Sequence, residues 1–133
     1  MNESKLILVL GDQLSFNQPA LNQAEPGRDS IVLAEVAEEA TYVRHNRHKI
    51  ALLFAAMRHF RVELETLGYD VHYIAIDEGV ASLEVAVRNV LVQTAATEVV
   101  VCEPGEYRLV HQMRNLWSSS LGVPVTVLED ERF

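Results

Sequence analysis

Five apolar runs recur at wide spacing along the chain: "KLILVL" (5–10), "SIVLAE" (30–35), "DVHYIAI" (70–76), "TEVVVC" (97–102) and "VPVTVL" (123–128). Most are continuous rather than alternating and rich in Val, Ile and Leu. Strands covered on both faces read this way, and parallel sheets are built from such strands. Parallel neighbours need long crossovers, usually helices, and helical stripes occupy the gaps. In "NRHKIALLFAAMRHFRVELETLG", Ile50, Leu53, Phe54, Met57, Phe60, Leu64 and Leu67 share one face at helical period. Gly68 stands where a left-handed cap ends such a helix. A second stripe runs through Leu83, Val87, Val90, Leu91 and Thr94, with Ser82 as its N-cap. A third, through Val110, Met113, Leu116, Trp117 and Ser120, stops at Gly122. Strands alternating with helices predict right-handed βαβ units and a three-layer α/β/α, doubly wound, Rossmann-like fold of five parallel strands. Alternation alone allows strand order 3-2-1-4-5 or 2-1-3-4-5.

The 133 residues suffice for one domain, 1–133, and the 49% apolar content suffices for its core. No apolar run is long enough to span a membrane. "MNESKLILVLGD" has no basic segment ahead of its short apolar run and does not read as a signal peptide. The single cysteine, Cys102, excludes an internal disulfide and a cysteine-only zinc site, and a cytoplasmic setting is expected. With 11 basic and 19 acidic residues the net charge is −8. This argues against the domain holding a nucleic-acid backbone alone, although Arg44, Arg47, Lys49, Arg58 and Arg61 make a local basic stretch.

Open α/β sheets bind ligands outside the carboxyl ends of their strands, where the strand order reverses. The first run ends in Gly11-Asp12-Gln13, the second in Glu35 with Glu38 and Glu39 behind it, the third in Asp77-Glu78-Gly79, and the fourth in Cys102-Glu103-Pro104-Gly105-Glu106. Such an acidic rim repels an anionic diphosphate unless a metal or an arginine intervenes. Ionised carboxylates only accept hydrogen bonds, so the rim suits a neutral ligand rich in N–H and O–H donors. Ribityl chains and heteroaromatic imides or amides are of that kind. Glu38, Glu39 and Glu106 are equally explained by helix dipoles; Asp12 and Glu103, which come directly off buried runs, are less so.

Other candidates compete with plainer explanations. Residues 11–29 form a long first connection, which is commonly functional or hides a short helix, and "PALNQ" can supply one; a surface excursion is the alternative. His45 and His48 have the spacing of two metal ligands, but a solvated helix face accounts for them too. Cys102 is a candidate thiol or simple packing, and Trp117 reads as core. No dinucleotide, P-loop or nucleophile-elbow motif occurs.

Taken together, "LVLGDQLS", "VLAEVAEEATYVRHNRHKIALLFAAMRHF", "EPGEYR" and "EDERF" resemble the amino-terminal domain of bacterial cryptochrome and photolyase-related proteins, the iron–sulfur (6-4) photolyases known as deoxyribodipyrimidine photolyase-related. The resemblance runs from residue 6 to 133. It implies strand order 3-2-1-4-5 and an antenna domain that is itself non-catalytic. A carboxy-terminal helical domain of the same protein would carry FAD, a 4Fe-4S cluster and the DNA lesion site. The chain would then be a fragment that meets DNA only through the full-length protein. The one cysteine agrees, because such a cluster needs several thiolates.

The antenna implied is 6,7-dimethyl-8-ribityllumazine. Its pocket would map onto Gly11, Asp12, Gln13 and Leu14, onto Glu35, Val36 and Ala37, and onto Glu103, Pro104 and Gly105. Tyr107 stands where members of the family often carry Trp. The expected function is antenna binding in a DNA-repair or blue-light-sensing flavoprotein; the alternative is a free-standing nucleotide-binding or small hydrolytic α/β domain. A face built to dock the helical domain, together with an open edge at the fifth strand, predicts a weak homodimer of the fragment.

Overall fold

Leu6, Leu8 and Leu10 pack on one side of the sheet and Ile7 and Val9 on the other, and all five are buried. This two-sided burial shows why the first run is continuously apolar: a central parallel strand has no face left for water. The computed structural model describes residues 4–11, 13–36, 47–80, 82–104 and 107–129, with the side chains of 47–49 and 107 outside the description. Asp12, Ala37–Glu39, His45, Gly105 and Glu106 therefore lie outside the described residues, as do the side chains of His48 and Tyr107.

The strands are β1 (Ser4–Leu8), β2 (Ser30–Ala34), β3 (Asp70–Ile74), β4 (Ala96–Cys102) and β5 (Val125–Leu128). All pairings are parallel, in the order β3-β2-β1-β4-β5. Of the two orders that alternation allows, this is the one the resemblance implies. Ile7 sits opposite both Ile31 of β2 and Val100 of β4. The result is a three-layer, Rossmann-like α/β fold.

Among the described residues, five α-helices lie between the strands: α1 (Pro19–Asn22), α2 (Arg47–Thr66), α3 (Leu83–Gln93), α4 (Tyr107–Asn115) and α5 (Trp117–Leu121). On one face, Ala20 and Leu21 of α1 and Met57, Phe60 and Leu64 of α2 close over Ile7, Ile31, Leu33 and Val100. On the other, Leu83, Ala86, Val87 and Val90 of α3, Leu109 and Met113 of α4 and Trp117 of α5 close over Leu6, Leu8, Val32, Val99 and Val101. Fully burying each such side chain contributes roughly 1.5–3 kcal/mol before entropy is counted.

Helix ends follow local chemistry. The Ser82 hydroxyl accepts from the Val85 amide at 3.2 Å, capping α3. Gly68 and Gly122 adopt φ of 96° and 76°, the left-handed turn that halts α2 and α5 at little cost to a residue without Cβ. The third stripe breaks at Leu116, which is exposed while Trp117 is buried, so one expected helix becomes α4 followed by α5. Leu67 likewise lies exposed just past the end of α2. Among the described residues, no helix is long and apolar enough to cross a membrane.

The candidate ligand crevice between β1 and β4

The chain leaves β1 toward α1 on one face of the sheet and leaves β4 toward α4 on the other. The two exits diverge, and the crevice between them is the switch point of a doubly wound sheet. Val9 and Leu10 continue past the end of β1, with the Val9 amide still bonded to the Val32 carbonyl at 3.1 Å. The chain then turns sharply, the Gln13 amide donating to the Leu10 carbonyl at 2.9 Å. That turn aims the Gln13 side chain at the end of β4. Its Nε2 donates to the carbonyls of Cys102 at 3.3 Å and Glu103 at 3.1 Å.

Gln13 is only 4% exposed, and among the described residues its Oε1 is buried without a hydrogen-bond partner. Rotating the amide would not relieve it, because Oε1 would then face two carbonyl oxygens. A buried acceptor left unpaired costs about 1–3 kcal/mol, and such groups are rare enough to need an explanation.

The long first connection supports this turn. Gln18 occupies the N-cap of α1, but its side chain makes no capping bond; it turns inward, and Nε2 donates to the Gln13 carbonyl at 2.6 Å. Gln18 Oε1 accepts from the Cys102 thiol at 3.2 Å, and the Cys102 sulfur accepts from the Ala20 amide at 3.3 Å. Gln18 and Cys102 are both buried. Of the two readings of Cys102, packing with a hydrogen-bonding role is the one its surroundings fit. Gln18 was not legible as a site residue; the only hint is a poor N-capping residue directly before the proline that starts a helix.

At the far end of the connection, Asp29 fixes the chain to the sheet. It is buried and accepts from the amides of Lys5 at 2.8 Å and Glu25 at 2.9 Å, with Arg28 forked across both its oxygens. Burial alone would raise its carboxyl pKa, but the bonds from Arg28, Lys5 and Glu25 outweigh burial and hold it below the ordinary value.

Glu35, at the end of β2, belongs to a different set of contacts. Its side chain is fully buried; Arg58 Nε and Nη2 reach Oε2 and Oε1 at 2.6 and 2.8 Å, the Tyr73 hydroxyl donates to Oε2, and the Ile76 amide donates to Oε1 at 2.9 Å. Burial raises the Glu35 pKa, but these donors lower it by more, so the carboxylate is held below its ordinary range. Burial and then Glu35 push the Tyr73 phenol up. Both Glu35 oxygens are thus used within the protein. Arg61 stacks on Tyr73, its guanidinium 5.5 Å from the ring centre.

Of the other expected site residues, Gly11 and Pro104 are buried, Leu14 packs half-buried against the α2 layer, and Val36 is buried in the opposite layer. Glu103 is half-buried and pairs with Arg114 at 3.0 Å. The structure thus brings Gln13 to Cys102 and Glu103, while Glu35 bonds to α2, β3 and the turn after it. Arg58 and Tyr73 were missed as partners of Glu35; Arg58 directly follows Met57 and so borders the apolar stripe of α2. Among the described residues, no three His, Cys, Asp or Glu side chains gather into a group that could hold a metal ion.

Fold and crevice together define a Rossmann-like α/β domain with a hydrogen-bond-accepting switch point. The profile of the deoxyribodipyrimidine photo-lyase-related protein matches residues 7–133, and the chain belongs to that family. It is also 40% identical over 132 residues to a (6-4) photolyase of Agrobacterium fabrum (strain C58 / ATCC 33970); the match takes in 98% of this chain and 26% of the relative's length.

Proposed function

We propose that this domain binds an antenna chromophore, 6,7-dimethyl-8-ribityllumazine, in the crevice between the β1 and β4 exits, and passes its excitation energy to a flavin. The observation that carries the reading is the unpaired, buried Gln13 Oε1 at the switch point of a photolyase-related chain. A ligand offering N–H and O–H donors satisfies such an acceptor; a phosphate does not. The residues proposed to contact the ring and ribityl chain are those the family resemblance assigns: Gly11, Asp12, Gln13 and Leu14, Val36 and Ala37, and Glu103, Pro104 and Gly105. Glu35 would contribute indirectly, by fixing the end of β2 against α2 and β3.

In this reading the chain does no chemistry of its own. FAD, a 4Fe-4S cluster and the DNA lesion belong to a carboxy-terminal helical domain, and the antenna domain docks on it in a DNA-repair or blue-light-sensing flavoprotein. The length of the relative, of which this chain matches 26%, leaves room for such a domain.

Titration of the purified protein with the lumazine, followed by absorbance and fluorescence, tests the reading. Saturable binding is expected, and Asp12→Ala should weaken it by about 1.5–3 kcal/mol through loss of charge-assisted hydrogen bonds. Saturable binding of a nucleotide with none of the lumazine would establish the nucleotide-binding alternative instead.

A further inference from the structure

We infer that Gln13 is the specificity-determining residue of this crevice and that it selects heterocycles carrying a ring N–H, with Gln18 and Cys102 as the positioning pair that locks its orientation. The inference rests on the antenna reading above and extends it to the chemistry that is recognised.

Four contacts hold the side chain and its turn. Gln13 Nε2 is committed to the carbonyls of Cys102 and Glu103, so Oε1 is the only atom of the amide left to read a ligand. Gln18 Nε2 pins the Gln13 main-chain carbonyl, and the Cys102 thiol holds Gln18 in turn. Free glutamine amides present either a donor or an acceptor by rotating about their last torsion. Here rotation would break two hydrogen bonds and set Oε1 against the carbonyl oxygens of Cys102 and Glu103, so the amide presents an acceptor alone. A buried acceptor discriminates strongly against ligands that cannot pair with it, because the unpaired group then remains desolvated. Lumazines carry an imide N–H between two carbonyls; a methyl group on that nitrogen removes the donor and leaves the ribityl chain untouched.

The test compares 6,7-dimethyl-8-ribityllumazine with its N3-methyl derivative on the wild-type protein, Gln13→Met, Gln13→Leu and Gln18→Leu. The wild type should prefer the N–H form by at least about tenfold. Gln13→Met and Gln13→Leu should bind both forms within about threefold of each other, because neither side chain has an amide acceptor. Gln18→Leu should narrow the preference and shift the absorption maximum of the bound lumazine, a change that a loss of stability alone does not produce. Equal wild-type affinity for the two forms overturns the inference and needs no variant to fold. A preference that persists in either Gln13 variant also overturns it, since the methyl group would then be excluded by shape. Failure of the wild type to bind either form refutes the antenna reading itself, an outcome distinct from the other two.

Discussion

Arg58 on α2 forks onto Glu35 at the end of β2, with Nε 2.6 Å from one carboxylate oxygen and Nη2 2.8 Å from the other. The carboxylate is fully buried while the arginine side chain is 56% exposed, so the pair sits at the edge of the core rather than within it. Two further donors, the Tyr73 hydroxyl and the Ile76 amide, complete the shell. One anion thereby ties together a helix, two strands and the turn after β3.

Glu35→Gln should destabilise the fold by about 1–3 kcal/mol, because an amide NH2 would face the guanidinium or the Tyr73 hydroxyl. Tyr73→Phe should cost about 1 kcal/mol, leaving Arg58 and Ile76 in place. The double variant should cost less than the sum, as expected for residues sharing one carboxylate. Urea unfolding of the wild type and the three variants measures the coupling, and strict additivity would dissolve the proposed unit.

Acid should weaken the protein through Glu35 and Asp29. Their ordinary carboxyl values are 4.5 and 3.8, and both are lower in the folded state. The unfolded chain therefore takes up protons first, and stability, complete above about pH 4.5, falls as pH drops through the depressed folded values. Tyr73 acts at the other extreme. Its ordinary value is 10.0 and folding raises it, so stability falls again as pH rises above about 10. Urea midpoints across the pH range should show both flanks, and Tyr73→Phe should flatten the alkaline one.

Asp29→Ala should cost about 2–3 kcal/mol by leaving the Lys5 and Glu25 amides without their acceptor near the start of β1. Amide hydrogen exchange locates the effect. Faster exchange at Lys5 and Glu25, with β5 unchanged, is the expected pattern; no change at either amide would show that the contacts contribute nothing.

Leu64→Ala removes a fully buried side chain from the layer between α2 and the sheet and should cost about 2–5 kcal/mol. Ser82→Ala removes only the cap of α3 and should cost about 1 kcal/mol. Thermal melts of the pair rank the two effects, and the reverse order would contradict the packing described.

Association through exposed apolar side chains is a separate expectation. Phe16 of the first connection and Val62 and Leu67 at the end of α2 line one surface groove, each at least 41% exposed. A weak, concentration-dependent dimer should appear in sedimentation experiments and be lost in Val62→Lys. A monomer at every concentration would remove the groove as an association surface.

The strands were legible because parallel packing demands continuous apolar runs, and each run contains or overlaps an observed strand. Their ends were less so: the first run extends to Leu10 but β1 ends at Leu8, since burial continues beyond the ladder. The split at Leu116 was hidden because Leu116 fits the helical period as well as Met113 does. The acidic strand ends were read as acceptors awaiting a ligand, and for Glu35 the acceptors are filled by Arg58 and Tyr73, which lie far away in the chain. No local pattern encodes such a pairing. Gln13 was picked out by its place after β1, yet its unpaired oxygen depends on carbonyls at the end of β4, those of Cys102 and Glu103, that only the sheet order brings near.

That dependence has a kinetic side. The contacts that close the crevice against β4 join the first strand region to the fourth, as in the Leu8–Val101 pairing and the bonds from Gln13 to Cys102 and Glu103. The β1–β2 and β2–β3 units close over shorter stretches of chain, and short loops close at lower entropic cost. A nascent chain emerging from the ribosome can form those units while β4 is still being synthesised, but the crevice has no partial version. On the antenna reading proposed above, chromophore capture would have to wait for the fourth strand, and a growing polypeptide would remain dark until that strand had inserted.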